Sequence, residues 1–290
     1  WLFNVHGIAH KVVFDADLSF ADASSDLTEL PLYEQLDDDN LEQFRRRFGF
    51  NTFGVPPVSI PLRFDERFYA LRTGLGGVVT SPSTEIADDL AALRLGARQR
   101  WQTKRGPENN RRILDFIVLD TEAVFFPNED RDNFGESLGL LNYDFRWHLG
   151  DRTTIVSDGI FDLFDQGQEL VSLGAFLNRP GRGSLYVGFH SLQGPIDAQV
   201  LSASYSYRMS PKWVSAIGTS VDIGGGGNIG QAISLTRIGE SFLTSFGFNV
   251  DASKGNVGLV FSVEPRFLPR SRLGNVGGVA IPPAGLMGLE

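Results

Sequence analysis

From Phe242 to Val263 the chain changes face at every residue, and this period of two constrains its fold more than any other feature. Phe242, Thr244, Phe246, Phe248 and Val250 fall on one side, with Ser241, Ser245, Gly247, Asn249 and Asp251 on the other. Residues two apart share a face of a strand but not of a helix. After the turn Ala252-Ser253-Lys254-Gly255, the residues Val257, Leu259, Phe261 and Val263 oppose Gly258, Ser262, Glu264 and Arg266. Two such runs joined by a short glycine-containing turn predict a β-hairpin.

Earlier segments repeat the pattern. Leu201, Ala203, Tyr205 and Tyr207 oppose Ser202, Ser204, Ser206 and Arg208, and Leu141, Tyr143, Phe145 and Trp147 oppose Asn142, Asp144, Arg146 and His148. Strands are predicted near Lys11 to Phe20, Leu90 to Lys104, and in ten more segments between Ile113 and Phe267. A high content of Gly (33) and Phe (23) in 290 residues fits many short strands with glycine turns and aromatic ends. No apolar run approaches the roughly 20 residues that a membrane-crossing helix needs, so any crossing is made by strands. The net charge of -9 speaks against a nucleic-acid partner, and the lack of cysteine rules out disulfides and thiolate metal sites.

Alternation alone also fits a soluble β-sandwich, so the content of each face decides. One face carries small residues and charges of both signs, as a water-filled lumen allows; Arg94, Arg98, Arg100, Asp120, Glu122, Asp144, Arg146, Asp158 and Asp162 are its candidates. The other carries the candidate lipid-facing residues Phe242, Phe246, Phe248, Leu259 and Phe261. Trp101, Phe125, Trp147, Tyr207, Trp213 and Phe267 fall near segment ends, as in the aromatic girdles of a membrane barrel. The expected fold is all-β, an antiparallel transmembrane β-barrel of about twelve strands forming part of a larger barrel, in the bacterial outer membrane.

Connection lengths set the expected orientation. Ile238-Gly239-Glu240, Met209-Ser210-Pro211, the Pro180-Gly181 stretch and Leu149-Gly150-Asp151 are short and fall on one side, read as periplasmic. The acidic stretch Asn128 to Asp132 and the long region from Ala21 to Asp89 fall on the other, read as extracellular. That long region holds Asp37-Asp38-Asp39, a helix-compatible run Leu41 to Phe48 with Asn40 as cap, and Pro56-Pro57. Residues 1–267 are expected to be the barrel portion, and Leu268 to Glu290 a flexible Gly/Pro-rich periplasmic tail. Opening at Trp1 inside a patterned segment, the sequence is read as a fragment.

Catalytic chemistry is not legible. No nucleophile elbow, phosphate loop, dinucleotide fingerprint or metal-ligand spacing appears, so no enzyme, cofactor or metal is expected. His6 and His10 are read as sharing a strand face, where a wet lumen explains them without a metal. Gly224 to Gly227 lacks the following Lys-Ser or Lys-Thr of a phosphate loop and is read as a turn. The pairs Asp158/Asp162 and Asp120/Glu122 share strand faces as a glycosidase would require, but so do arginines, which favours an ion-pair network.

The stretch Leu95 to Gly106, Phe125-Phe126-Pro127, Asp132-Asn133-Phe134-Gly135 and Tyr205-Ser206-Tyr207-Arg208 resemble the barrel region of LptD, the LPS-assembly or organic solvent tolerance family, over about Ala9 to Phe267. The resemblance implies an outer-membrane translocon that inserts lipopolysaccharide into the outer leaflet, with a plug lipoprotein, periplasmic lipid-bridge proteins and outer-membrane lipid as partners. It also implies a lateral gate at the last strand, where Pro265, lacking an amide hydrogen, is the candidate. The family's periplasmic domain and cysteines are absent from this sequence. The alternatives are a generic outer-membrane porin or structural barrel, and a soluble β-sandwich binding module.

Overall fold

The computed structural model describes residues 6–22, 24, 89–163, 167, 169–193, 197–252 and 255–266. Its twelve strands are β1 (His6–Ala21), β2 (Leu90–Arg105), β3 (Arg112–Phe125), β4 (Leu138–Leu149), β5 (Thr153–Asp162), β6 (Glu169–Arg179), β7 (Gly183–Gln193), β8 (Ala198–Ser210), β9 (Trp213–Asp222), β10 (Gly227–Ile238), β11 (Phe242–Asp251) and β12 (Asn256–Pro265). Each pairs antiparallel with its neighbours in sequence, in one sheet running from β1 to β12 without a crossover. Among the described residues the sheet does not close: β1 and β12 are its two edges.

Alternation dictates the two faces, and register carries them across the sheet. A row of partners runs His10, Trp101, Ile117, Trp147, Ile155 and Ala175, then Val187, Ala203, Thr219, Gln231, Val250 and Val257. It starts at the fifth residue of β1 and ends at the second of β12, at opposite ends of the sheet. The strands are therefore staggered progressively, the shear that accompanies strand tilt in barrels.

The β-sandwich reading is excluded among the described residues, because one sheet is present and its apolar face is not covered by a second. Leu259 is 84% exposed, Phe246 62% and Phe261 61%. Buried apolar clusters lie instead at the strand ends: Leu90, Ala92, Val124 and Phe126 at one, Val214, Ile238 and Leu243 at the other.

The two rims differ. At one, five turns of two to six residues join β2–β3, β4–β5, β6–β7, β8–β9 and β10–β11. Gly150 and Gly181 supply the left-handed conformations (φ 73° and 75°) that such tight turns need. The other rim holds the two longest connections, β3–β4 and the one from Ala21 to Asp89; most of the latter lies outside the described residues, as do the Leu41 to Phe48 run and Leu268 to Glu290. Between β3 and β4 the acidic stretch, expected as an open loop, forms a one-turn helix, α1 (Glu129–Asp132). It is tied to the sheet, with Asp132 accepting from the Ala91 amide (3.0 Å) and Arg131 pairing with Asp89 (3.3 Å).

Candidate functional site

Two irregularities correct the simple alternation. A register shift beside Gly7 (φ 72°) sets His6 opposite Lys104 while His10 opposes Trp101, so the strand's period of two is interrupted between them. His10 stacks on Trp101 instead, with ring centroids 4.5 Å apart. In β3, Phe116 is an extra residue between the pairs Trp101–Ile117 and Gln102–Asp115, a bulge. Its ring meets Trp147 edge-on, and the Arg105 guanidinium lies over it.

Arg94, Arg98, Arg100, Asp120, Glu122, Asp144, Arg146, Asp158 and Asp162 all fall on the face opposite the exposed apolar one, since each lies an odd number of residues from its own strand's member of the row above. The register aligns Arg98, Asp120, Asp144, Asp158, Ser172 and His190 side by side on six consecutive strands. Ser172 and His190 are hydrogen-bonded at 2.9 Å. Ion pairs lace this band: Arg94 reaches Asp17 at 2.8 Å and Glu122 at 3.9 Å, Arg98 reaches Asp15 at 3.5 Å, Arg100 reaches Asp115 at 3.8 Å, and Arg146 reaches Asp144 at 2.9 Å. Asp162 stands apart, buried at the long-loop rim.

Asp15 and Asp17 were not among the sequence candidates, although their signal was there: in β1 they alternate with the exposed Phe14 and Leu18. Charges crowd β1 to β5. From β8 to β10 the same face offers Ser202, Ser204, Ala216, Gly218, Ala232 and Ser234 in their place.

Of the two carboxylate pairs, Asp120/Glu122 belongs to the ion-pair band: Glu122 faces Arg94, and Asp120 is in register with Arg98 and Asp144. Among the described residues no group of three or more His, Asp or Glu is placed to hold a metal ion. The glycine run is a turn with two of its amides engaged: the Asp222 carboxylate accepts from Gly224 (2.9 Å) and Gly226 (3.0 Å), and from Gln199 of β8 (3.3 Å), leaving those donors nothing for a phosphate.

Phe242, Phe246, Phe248, Leu259 and Phe261 all lie on the other face, each more than two-fifths exposed. Large apolar side chains stand exposed on this face in β1 to β3 and in β6 to β12, from Phe14 and Phe20 in β1 to Val257 and Val263 in β12. No helix of the described residues is long and apolar enough to cross a membrane. A sheet with one apolar and one polar face through twelve antiparallel strands is the architecture of a bacterial outer-membrane β-barrel, and it places the chain in that membrane.

Comparison with known proteins finds no matching family model and no matching curated protein. Similar solved structures include a mutant of Rh. blastica porin, at 11% identity and a TM-score of 0.38, covering 59% of this chain and 54% of that one. KdgM porin in complex with disordered oligogalacturonate is similar at 10% identity and a TM-score of 0.28, covering 60% and 90%. The chain spans about half the length of the Rh. blastica structures it matches.

The resemblance to the LPS-assembly family is thereby overturned, since no family model supports it and the structures found are porins. Its motifs have local causes. Gly96 is small because the Asp15 carboxylate occupies the space a side chain would need. Asp132-Asn133-Phe134-Gly135 ends α1, with Phe134 and Gly135 at positive φ and the buried Asn133 amide donating to Glu136 and Leu138. Tyr205 and Tyr207 stack on each other on the apolar face. Lipopolysaccharide insertion falls with the family, and the plug lipoprotein and lipid-bridge partners rested on it alone. The gate at Pro265 was likewise implied by that family; Pro265 is the last residue of β12, opposite Phe242.

Proposed function

We propose that the chain is the wall of an outer-membrane porin whose polar face borders a water-filled path for small hydrophilic solutes. One observation supports this above others, the band of Arg98, Asp120, Asp144 and Asp158 at mid-wall. Charges at membrane depth are costly unless they face water or one another, and here four neighbouring strands present them together. The apolar face would meet lipid. The short turns would lie in the periplasm, and the longer connections, including Ala21 to Asp89, outside the cell.

Passage of ions is the direct test. Protein folded into planar bilayers should give discrete conductance steps that persist at either polarity. Folded, inserted protein without conductance would sink the channel and leave a structural barrel.

A further inference from the structure

The topology gathers residues that are scattered in sequence into two rims of opposite charge. On the short-turn rim each of the five connections brings an exposed cation: Arg112, Arg152, Arg182, Lys212 and Arg237 mark them in turn. Over residues 104–112, 149–153, 179–183, 210–213 and 237–242, eight exposed Lys and Arg face three exposed acids, Glu108, Asp151 and Glu240. The long-loop rim is the reverse. Among its described residues the connections and the strand ends beside them hold eleven acids and one base, Arg131.

A second feature follows the same axis. The three described tryptophans, Trp101, Trp147 and Trp213, stand on the apolar face within a few residues of the cationic rim, and Tyr205 and Tyr207 join them. Next to the acidic rim the apolar face ends in Phe20, Phe125 and Phe161, which have no polar tip. Indole and phenol rings settle at headgroup depth, where one end is apolar and the other wet. Arg237 is the register partner of Trp213 on that face, which puts a guanidinium at the same depth.

We propose that the short-turn rim is a collar for the phosphate headgroups of anionic phospholipids, a role that rests on the barrel reading and adds to it. Turns joining alternate strand pairs recur about every 10 Å along the rim. That is about one Debye length at physiological salt, so the cations act on the lipid surface as a continuous ring. Each contributes roughly fivefold to partitioning onto an anionic surface. The acidic rim repels such a surface, so the collar also favours one orientation of the protein.

The test compares folding of the full chain into vesicles of phosphatidylcholine and into vesicles containing about 30 mol% phosphatidylglycerol. Folding should be at least about tenfold more favourable with phosphatidylglycerol, and the preference should vanish near 0.5 M salt. The variant Arg112→Gln, Arg152→Gln, Arg182→Gln, Lys212→Gln should lose it, while Glu129→Gln, Glu136→Gln, Glu169→Gln should keep it. A second measurement needs no variant: phosphatidylglycerol with brominated chains should quench the tryptophans of the folded wild type more than its mole fraction predicts. Equal folding in both vesicles, or quenching at mole fraction, would overturn the collar and leave the barrel standing. Failure to fold into either vesicle would overturn both.

Discussion

Tyr143 on β4 lies across Gly159 on β5, its ring filling the space that a side chain at 159 would need. The phenol then bonds Ser157 at 2.9 Å, and Ser157 donates onward to the Ser172 carbonyl at 2.9 Å, linking β4, β5 and β6. Gly159→Val should push the ring out of this notch and cost about 1–3 kcal/mol. Urea titration of the protein folded in vesicles measures it, and Tyr143→Ala in the same background should remove most of the penalty.

The two faces should respond oppositely to one charge. Phe246→Arg on the apolar face should cost about 2–4 kcal/mol if it lies near the bilayer midplane, whereas Ser204→Arg on the polar face should cost about 1 kcal/mol or less. Equal costs in vesicle unfolding would contradict the assignment of faces.

If the charged band borders the conducting path, its acids bias the traffic. Asp120→Asn with Asp144→Asn and Asp158→Asn should shift the cation-to-anion permeability ratio toward anions by about threefold or more. Reversal potentials under a salt gradient report this, and an unchanged ratio would remove the band from the path.

The Asp222 carboxylate fastens the β9–β10 turn through three backbone amides. Asp222→Ala leaves them to water and should destabilise the protein by about 1–3 kcal/mol. Faster hydrogen exchange confined to Gly224, Gly226 and Gln199 would mark the loss as local.

Because the chain has no cysteine, single introduced thiols report orientation cleanly. Glu129→Cys should react with an impermeant reagent on intact cells, and Arg152→Cys only after the outer membrane is opened. The opposite pattern would invert the proposed topology.

Much of this architecture was legible because alternation survives single exceptions. The strand expected from Leu90 to Lys104 spans Leu90 to Arg105, and the one expected from Lys11 to Phe20 spans His6 to Ala21. Bulges were not legible: nothing in Asp115-Phe116-Ile117 says which residue is the extra one until β2 lies beside it. The alignment of Asp120, Asp144 and Asp158 was likewise hidden, because register depends on turn lengths and not on strand content. Arg112 and Arg237 stand far apart in sequence, so the charged rims became visible only once the topology had collected their turns.

The open edges impose a parity rule. β1 runs from the short-turn rim to the long-loop rim, and β12 runs back, so twelve alternating strands leave two edges that are already antiparallel to each other. Backbone donors and acceptors along such edges cannot remain unmet in hydrocarbon. A completed wall that keeps every neighbour antiparallel therefore joins β12 to β1 directly or interposes an even number of strands, because an odd number would force one parallel seam.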